Sequence, residues 1–146
     1  MSIASSTIAQ FEYPRQVRFV DTDASGFANF SAYVRMMEET EYAFLRNRGL
    51  CVILRDEKGT MGFPRLNVSL KIHQPLVFEQ EVTVRLLLVE IDGKQVVYKF
   101  EILDHDQDVL VEGSFKVAFC RFPDNGPPFA ILIPEFVTAA LTGNGS

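Results

Sequence analysis

Tryptophan is missing from this 146-residue chain, and cysteine and histidine occur twice each. Cys51 and Cys120 lie far apart, with no CxxC or Cys/His spacing, so neither a zinc site nor a disulfide framework is expected and the thiols read as reduced. No stretch approaches the ~20 apolar residues of a membrane span. The opening "MSIASSTIAQFEY" lacks a basic segment and a long apolar run, so the expected location is cytoplasmic, with no membrane partner. Basic residues are the minority, 14 Lys and Arg against 19 Asp and Glu, for a net charge of -5. No global field recruits nucleic acid, and an anionic ligand must be met by a local cluster.

What is present reads as one domain, residues 10–138, with loose ends at 1–9 and 141–146. "YPRQVRFV" is a short extended run. From Phe30 the period changes: Tyr33, Met36, Met37, Thr40 and Phe44 form one helical stripe, opposite Arg35, Glu39, Tyr42 and Arg46. Gly49 is the expected end of that helix. Strand patterns follow in "MGFPRLNVSLKIH", where Pro64 limits pairing, then "VTVRLLLVEI", "QVVYKFEIL" and "VLVEGSFKVAFCRF". Asp92-Gly93 signals a hairpin, and Val96, Tyr98, Phe100 and Ile102 share a face. The expectation is an α+β fold: a strand, one long helix, then four strands in an antiparallel meander. One helix covers little of such a sheet, so a second copy of the chain is expected to complete it.

Between the first strand and the helix lies "DTDASGFANF", residues 21–30. "DTDASG" matches the start of a calcium loop, but the twelfth position, where a bidentate Glu belongs, is Ala32. "DHDQD", residues 104–108, lacks the glycine and has Phe115 in the Glu position, so no metal is expected at either place. Asp and Ser favour turns and helix caps. That explains one acid better than two, because Asn29 and Ser31 already offer caps nearer the helix. Spacing alone leaves capping and catalysis open.

The stretch "RFVDTDASGFANFSAYVRMMEETEYAFL" resembles the opening of the hot-dog fold acyl-CoA thioesterases of the 4-hydroxybenzoyl-CoA thioesterase type. "HQPLVFEQEVTV" is similar to that family's Pro-Leu start of a strand, and "ILIPEF" resembles its C-terminal Ile-Pro element. The resemblance spans roughly residues 12–122. It implies a hot-dog fold, an antiparallel five-stranded sheet wrapped around one long central helix. It further implies an acyl-CoA substrate, no separate cofactor, and a homodimer or a homotetramer built as a dimer of dimers.

Carried across by position, Asp23 matches the family's catalytic carboxylate and the Phe30 N–H its oxyanion donor. Gly26 would let backbone approach substrate, Asn29 would orient substrate or water, and Tyr33 belongs to the same motif. Glu38 falls where the family has an acid on the helix, though a solvated face explains it too. Gly62 and Phe63 would line the pocket from a partner subunit. Many relatives carry histidine at the position of Phe30 and some at that of Phe27, and this chain has neither; its two histidines are His73 and His105, so a His-assisted mechanism is excluded there. Arg35, Arg46, Arg48, Arg55, Lys58, Arg65 and Lys71 are undifferentiated candidates for coenzyme A phosphates. Two further readings stand beside the acyl-CoA hydrolase: a non-catalytic acyl-binding module, and a thioesterase acting on an acyl carrier protein.

Overall fold

A computed structural model describes residues 7–143. Strand β1 (Ala9–Gln16) leads through a 3-10 turn (Phe19–Asp21) to helix α1 (Phe30–Asn47). Then come β2 (Ile53–Asp56), β3 (Gly59–Gly62), β4 (Arg65–Ile72), β5 (Glu81–Asp92), β6 (Gln95–Leu103), β7 (Val109–Ala118), β8 (Cys120–Phe122), β9 (Phe129–Ala130) and helix α2 (Glu135–Thr142). The large sheet is antiparallel throughout, in the order β1-β5-β6-β7-β4, and wraps α1.

Helix α1 follows from its sequence almost residue by residue. The expected stripe of Tyr33, Met36, Met37, Thr40 and Phe44 is buried. Gly49, at φ 78°, supplies the left-handed residue past the last turn. Leu50 N–H then reaches Leu45 O at 2.8 Å and Gly49 N–H reaches Arg46 O at 3.0 Å, while the Leu50 side chain is buried.

The sheet's inner face is the core. Val84, Leu86 and Leu88 of β5, Val96, Tyr98, Phe100 and Ile102 of β6, and Val111, Phe115 and Val117 of β7 are all buried. Each such side chain contributes about 1.5–3 kcal/mol by leaving water. Phe44, Tyr98, Phe100 and Phe115 form a continuous aromatic row, with centroids 6.1, 6.1 and 4.9 Å apart. The outer face is polar, and Arg85 ties Glu12 (3.0 Å) to Glu101 (3.1 Å) across three strands.

Several expectations are corrected. The four later strands do not form one meander: only β5, β6 and β7 do, and β4 crosses over to pair with β7 at the far edge. Two of the strand patterns also break in two. β3 and β4 part at Phe63-Pro64, and β7 and β8 part at Phe119, so that β2, β3, β8 and β9 build a second small sheet. The rings of Phe63 and Phe119 pack 5.0 Å apart at that branch. The hairpin loop is Gly93-Lys94, one residue later than Asp92-Gly93, with Gly93 at φ 59° in the first loop position. Leu141, in the last turn of α2, is fully buried. Ile8 bonds Leu88 O at 2.7 Å. Residues 1–6 and 144–146 lie outside the described residues.

Gly113 of β7 fixes how closely α1 can approach. A β-carbon there would overlap Met37 Sδ and lie 3.1 Å from Ser69 O. Met37 is fully buried. Gly113→Ala is therefore expected to destabilise the fold by about 1–3 kcal/mol through overpacking. Urea unfolding monitored by circular dichroism reads this, and an unchanged midpoint would show the contact to be soft.

Candidate active site

The turn carrying the acids is built by the chain's own hydrogen bonds. After the 3-10 turn, Thr22 bridges Ala28 and Phe27 bridges Val77, so residues 23–27 form a closed loop against the β4–β5 connection. Gly26 N–H bonds Asp23 O at 3.0 Å and Asp23 N–H bonds Phe27 O at 3.2 Å. Gly26 sits at φ 86° with open space where a β-carbon would be. Glycine is thus required by backbone conformation.

Asp23 stands exposed at the mouth of this loop. Its Oδ1 accepts from the Ser25 hydroxyl and from Ser25 N–H at 2.9 Å. The hydroxyl bond, with the backbone bond behind it, holds the carboxyl below the usual carboxylate range. It is a pre-oriented, ionised carboxylate at neutral pH.

Helix α1 starts immediately afterwards. Asn29 is its cap: Oδ1 accepts from Ala32 N–H at 2.9 Å and from the Ser31 hydroxyl at 2.8 Å. The carboxamide oxygen expected to orient substrate is therefore committed to the helix. The Phe30 N–H, first of the helix, has no backbone acceptor among the described residues. A first-turn N–H with the helix dipole behind it favours negative charge.

The turn, the helix start and the neighbouring β4–β5 connection carry exposed apolar side chains. Phe19, Val20, Phe27, Phe30, Val77 and Phe78 are all exposed, and Phe19 packs edge-on against Phe78 at 5.9 Å. Tyr33 does not belong to this surface. Its ring is buried and its hydroxyl accepts from Leu76 N–H at 3.1 Å, which pins the β4–β5 connection to the helix. Gly62 and Phe63 are also buried in the single chain, at the branch between the sheets.

The burial of two carboxylates was not foreseen from the sequence. Asp21, the first acid of the turn, is fully buried and paired with Arg15 at 2.8 Å and Arg35 at 3.4 Å. Glu41 of α1 is fully buried too, 2.7 Å from Arg65 Nη2 in a contact not aligned as a hydrogen bond. Its position, four residues after Met37 and four before Leu45 in the buried row, was the available signal. Arg65 also holds Glu38 at 3.2 Å and lies over the Phe115 ring at 4.4 Å. Glu38 thus belongs to an ion cluster joining α1 to β4, and Arg35 and Arg65, two of the candidate phosphate ligands, are engaged by internal carboxylates. The acids Asp104, Asp106 and Asp108 gather in the β6–β7 turn, where Asp104 Oδ1 accepts the N–H groups of Asp106 (2.9 Å) and Asp108 (3.0 Å). That is turn formation. His73 pairs with Glu112 on the sheet.

A single long helix enclosed by a five-stranded antiparallel sheet, with an acid-bearing turn at the helix start, defines a hot-dog fold thioesterase. Residues 17–141 match the family model of the thioesterase-like superfamily, to which this chain belongs. A putative esterase of Aquifex aeolicus (strain VF5) is 30% identical over 101 residues, 69% of this chain and 77% of the relative. Among solved structures, a gentisyl-coenzyme A thioesterase is 25% identical, with a TM-score of 0.76 over 90% of this chain and 99% of the other. A variant of 4-hydroxybenzoyl CoA thioesterase, complexed with 4-hydroxybenzoyl CoA, shares the fold at 14% identity, with a TM-score of 0.77 over 90% of this chain and 98% of that one. Among the described residues, no helix is long and apolar enough to cross a membrane.

Burial pushes the Glu41 carboxyl up to about 7 against the attraction of Arg65. The unfolded chain releases this proton near 4.5 and the folded chain near 7, so this group's contribution to stability falls as pH rises across that window and is flat above it. Glu41→Gln is expected to remove a pH-dependent loss on the order of 3 kcal/mol. Urea unfolding of both proteins at pH 5 and pH 8 checks this: the variant gains relative stability at pH 8, and an equal difference at both values would reject the assignment.

Proposed function

We propose that the chain hydrolyses acyl-CoA thioesters, with Asp23 as the catalytic carboxylate and the Phe30 N–H as oxyanion donor. One observation carries this reading: an ionised, exposed carboxylate held by Ser25 sits in a turn bonded to the start of a helix whose first N–H lacks an acceptor among the described residues, with exposed Phe and Val side chains on the same segments. The thioester carbonyl oxygen docks at the helix start, where developing negative charge meets the N–H and the dipole. Either the Asp23 carboxylate attacks the carbonyl carbon, the coenzyme A thiolate leaves and water cleaves the resulting anhydride, or the carboxylate takes a proton from a water that attacks directly and the thiolate leaves. The exposed aromatic side chains suit an apolar or aryl acyl group, and the names of the solved relatives point the same way.

The working unit in this reading is a homo-oligomer. The inner face of the sheet runs past α1 at β4, where Leu66, Val68 and Ile72 are exposed at 53%, 40% and 44%. β4 is also a sheet edge. A second copy of the chain along that edge would cover these residues. Val68→Lys is expected to shift the native mass towards the monomer in light scattering, and an unchanged mass would place the interface elsewhere.

Thiol release from benzoyl-CoA, gentisyl-CoA and palmitoyl-CoA tests the chemistry. Asp23→Asn keeps size and loses charge, and is expected to lower kcat at least 100-fold with the fold intact. Full turnover in the variant removes Asp23 from the mechanism. Binding without release by the unaltered protein would instead support the acyl-binding module, and release only from an acyl carrier protein would support the carrier-protein enzyme.

A further inference from the structure

Asp21 cannot touch a substrate, because its carboxylate is fully buried. Its carbonyl oxygen nevertheless binds Asn29, the residue before Phe30, and Asp21 itself lies two residues before Asp23. Oδ2 accepts from Arg15 Nη1 and from Arg18 N–H, both at 2.8 Å, and Oδ1 accepts from Arg15 Nη2 at 3.3 Å. Arg15 continues to Glu39 on α1, at 2.7 Å through Nε. On its other side Asp21 closes a ring around the first turns of α1. Arg35 Nη2 donates to Asp21 Oδ1 at 3.4 Å, and Arg35 Nη1 donates to Ser31 Oγ at 3.2 Å. The Ser31 hydroxyl donates to Asn29 Oδ1 at 2.8 Å, and Asn29 N–H returns to the carbonyl oxygen of Asp21 at 2.8 Å.

The ring therefore joins the residue two before Asp23 to the residue one before Phe30. Stability alone is a poor account of it. Ion pairs taken out of water recover little more than their desolvation cost, and an apolar replacement is often as stable. What a fixed ring supplies is distance, and a misplacement of about 1 Å between reacting groups can cost about 100-fold in rate.

We propose that Asp21 is a positioning residue that sets the separation between the Asp23 carboxylate and the Phe30 N–H through this closed ring of Arg35, Ser31 and Asn29. The inference rests on the proposed function of the site. Its signature is a loss in kcat with little change in KM, since substrate still meets the same surface while the reacting groups are displaced.

The test measures thiol release from the best acyl-CoA of the panel for Asp21→Asn, Ser31→Ala, the double variant and Asp23→Asn, well below each variant's own Tm. Asp21→Asn is expected to lower kcat about tenfold or more and Ser31→Ala about threefold, with KM within about twofold in both. Asp21 and Ser31 share no direct bond, so coupling between them reports the ring. The double variant is expected to be no slower than Asp21→Asn alone, within about twofold. Should Asp21→Asn fail to fold, Arg35→Gln, which alters a partly exposed ring member, takes its place in the same cycle. A lowered Tm with kcat retained, a raised KM with kcat retained, or losses that multiply would each overturn the proposal. Full turnover in Asp23→Asn overturns the site itself. Collapse of turnover in Asp23→Asn beside retained kcat in Asp21→Asn overturns only the positioning role.

Discussion

The seating of α1 in the concave face of the large sheet is the contact on which every other feature depends. Met37 enters the space left by Gly113, and the aromatic row of Phe44, Tyr98, Phe100 and Phe115 packs along the same seam. A helix held this way has a defined end as well as a defined axis. The Phe30 N–H and the Asn29 cap are placed by packing that occurs several turns away, and the acid turn is placed by its bonds to that end.

Charge inside the fold is used sparingly and at two joints. Asp21 links β1, the turn and α1, and Glu41 links α1 to the edge strand through Arg65. The environments differ. Asp21 accepts from Arg15, Arg35 and a backbone N–H, which together outweigh desolvation and hold its carboxyl low. Among the described residues Glu41 has one guanidinium and no aligned hydrogen bond, and Glu38 lies close, so desolvation dominates. The first arrangement suits a fixed framework beside the site, and the second makes the seam between helix and sheet edge sensitive to pH.

Much of the framework was legible in the order of residues. The stripe of α1, its glycine stop, the alternation in β5, β6 and β7 and the polar outer face all follow from local periodicity, because burial of one face imposes the period of the element. The division of two strand patterns between two sheets was not legible. Pro64 marked a limit to pairing without revealing that the partners change, and Phe119 continues the alternation of its run. The edge position of β4 was also hidden, since strand order depends on non-local pairing.

For the site, the sequence alone determined that an acid-bearing turn with glycine at its bend precedes an amphipathic helix, and which family that pattern resembles. It could not separate the two acids by environment. Only tertiary structure decided that Asp21 is buried against Arg15 and Arg35 while Asp23 faces solvent, and that Tyr33 serves the core. The physical reason is that burial and ion pairing depend on groups brought from β1, α1 and β4, far apart in the chain, whereas turn geometry and helical periodicity are set by neighbours a few residues away.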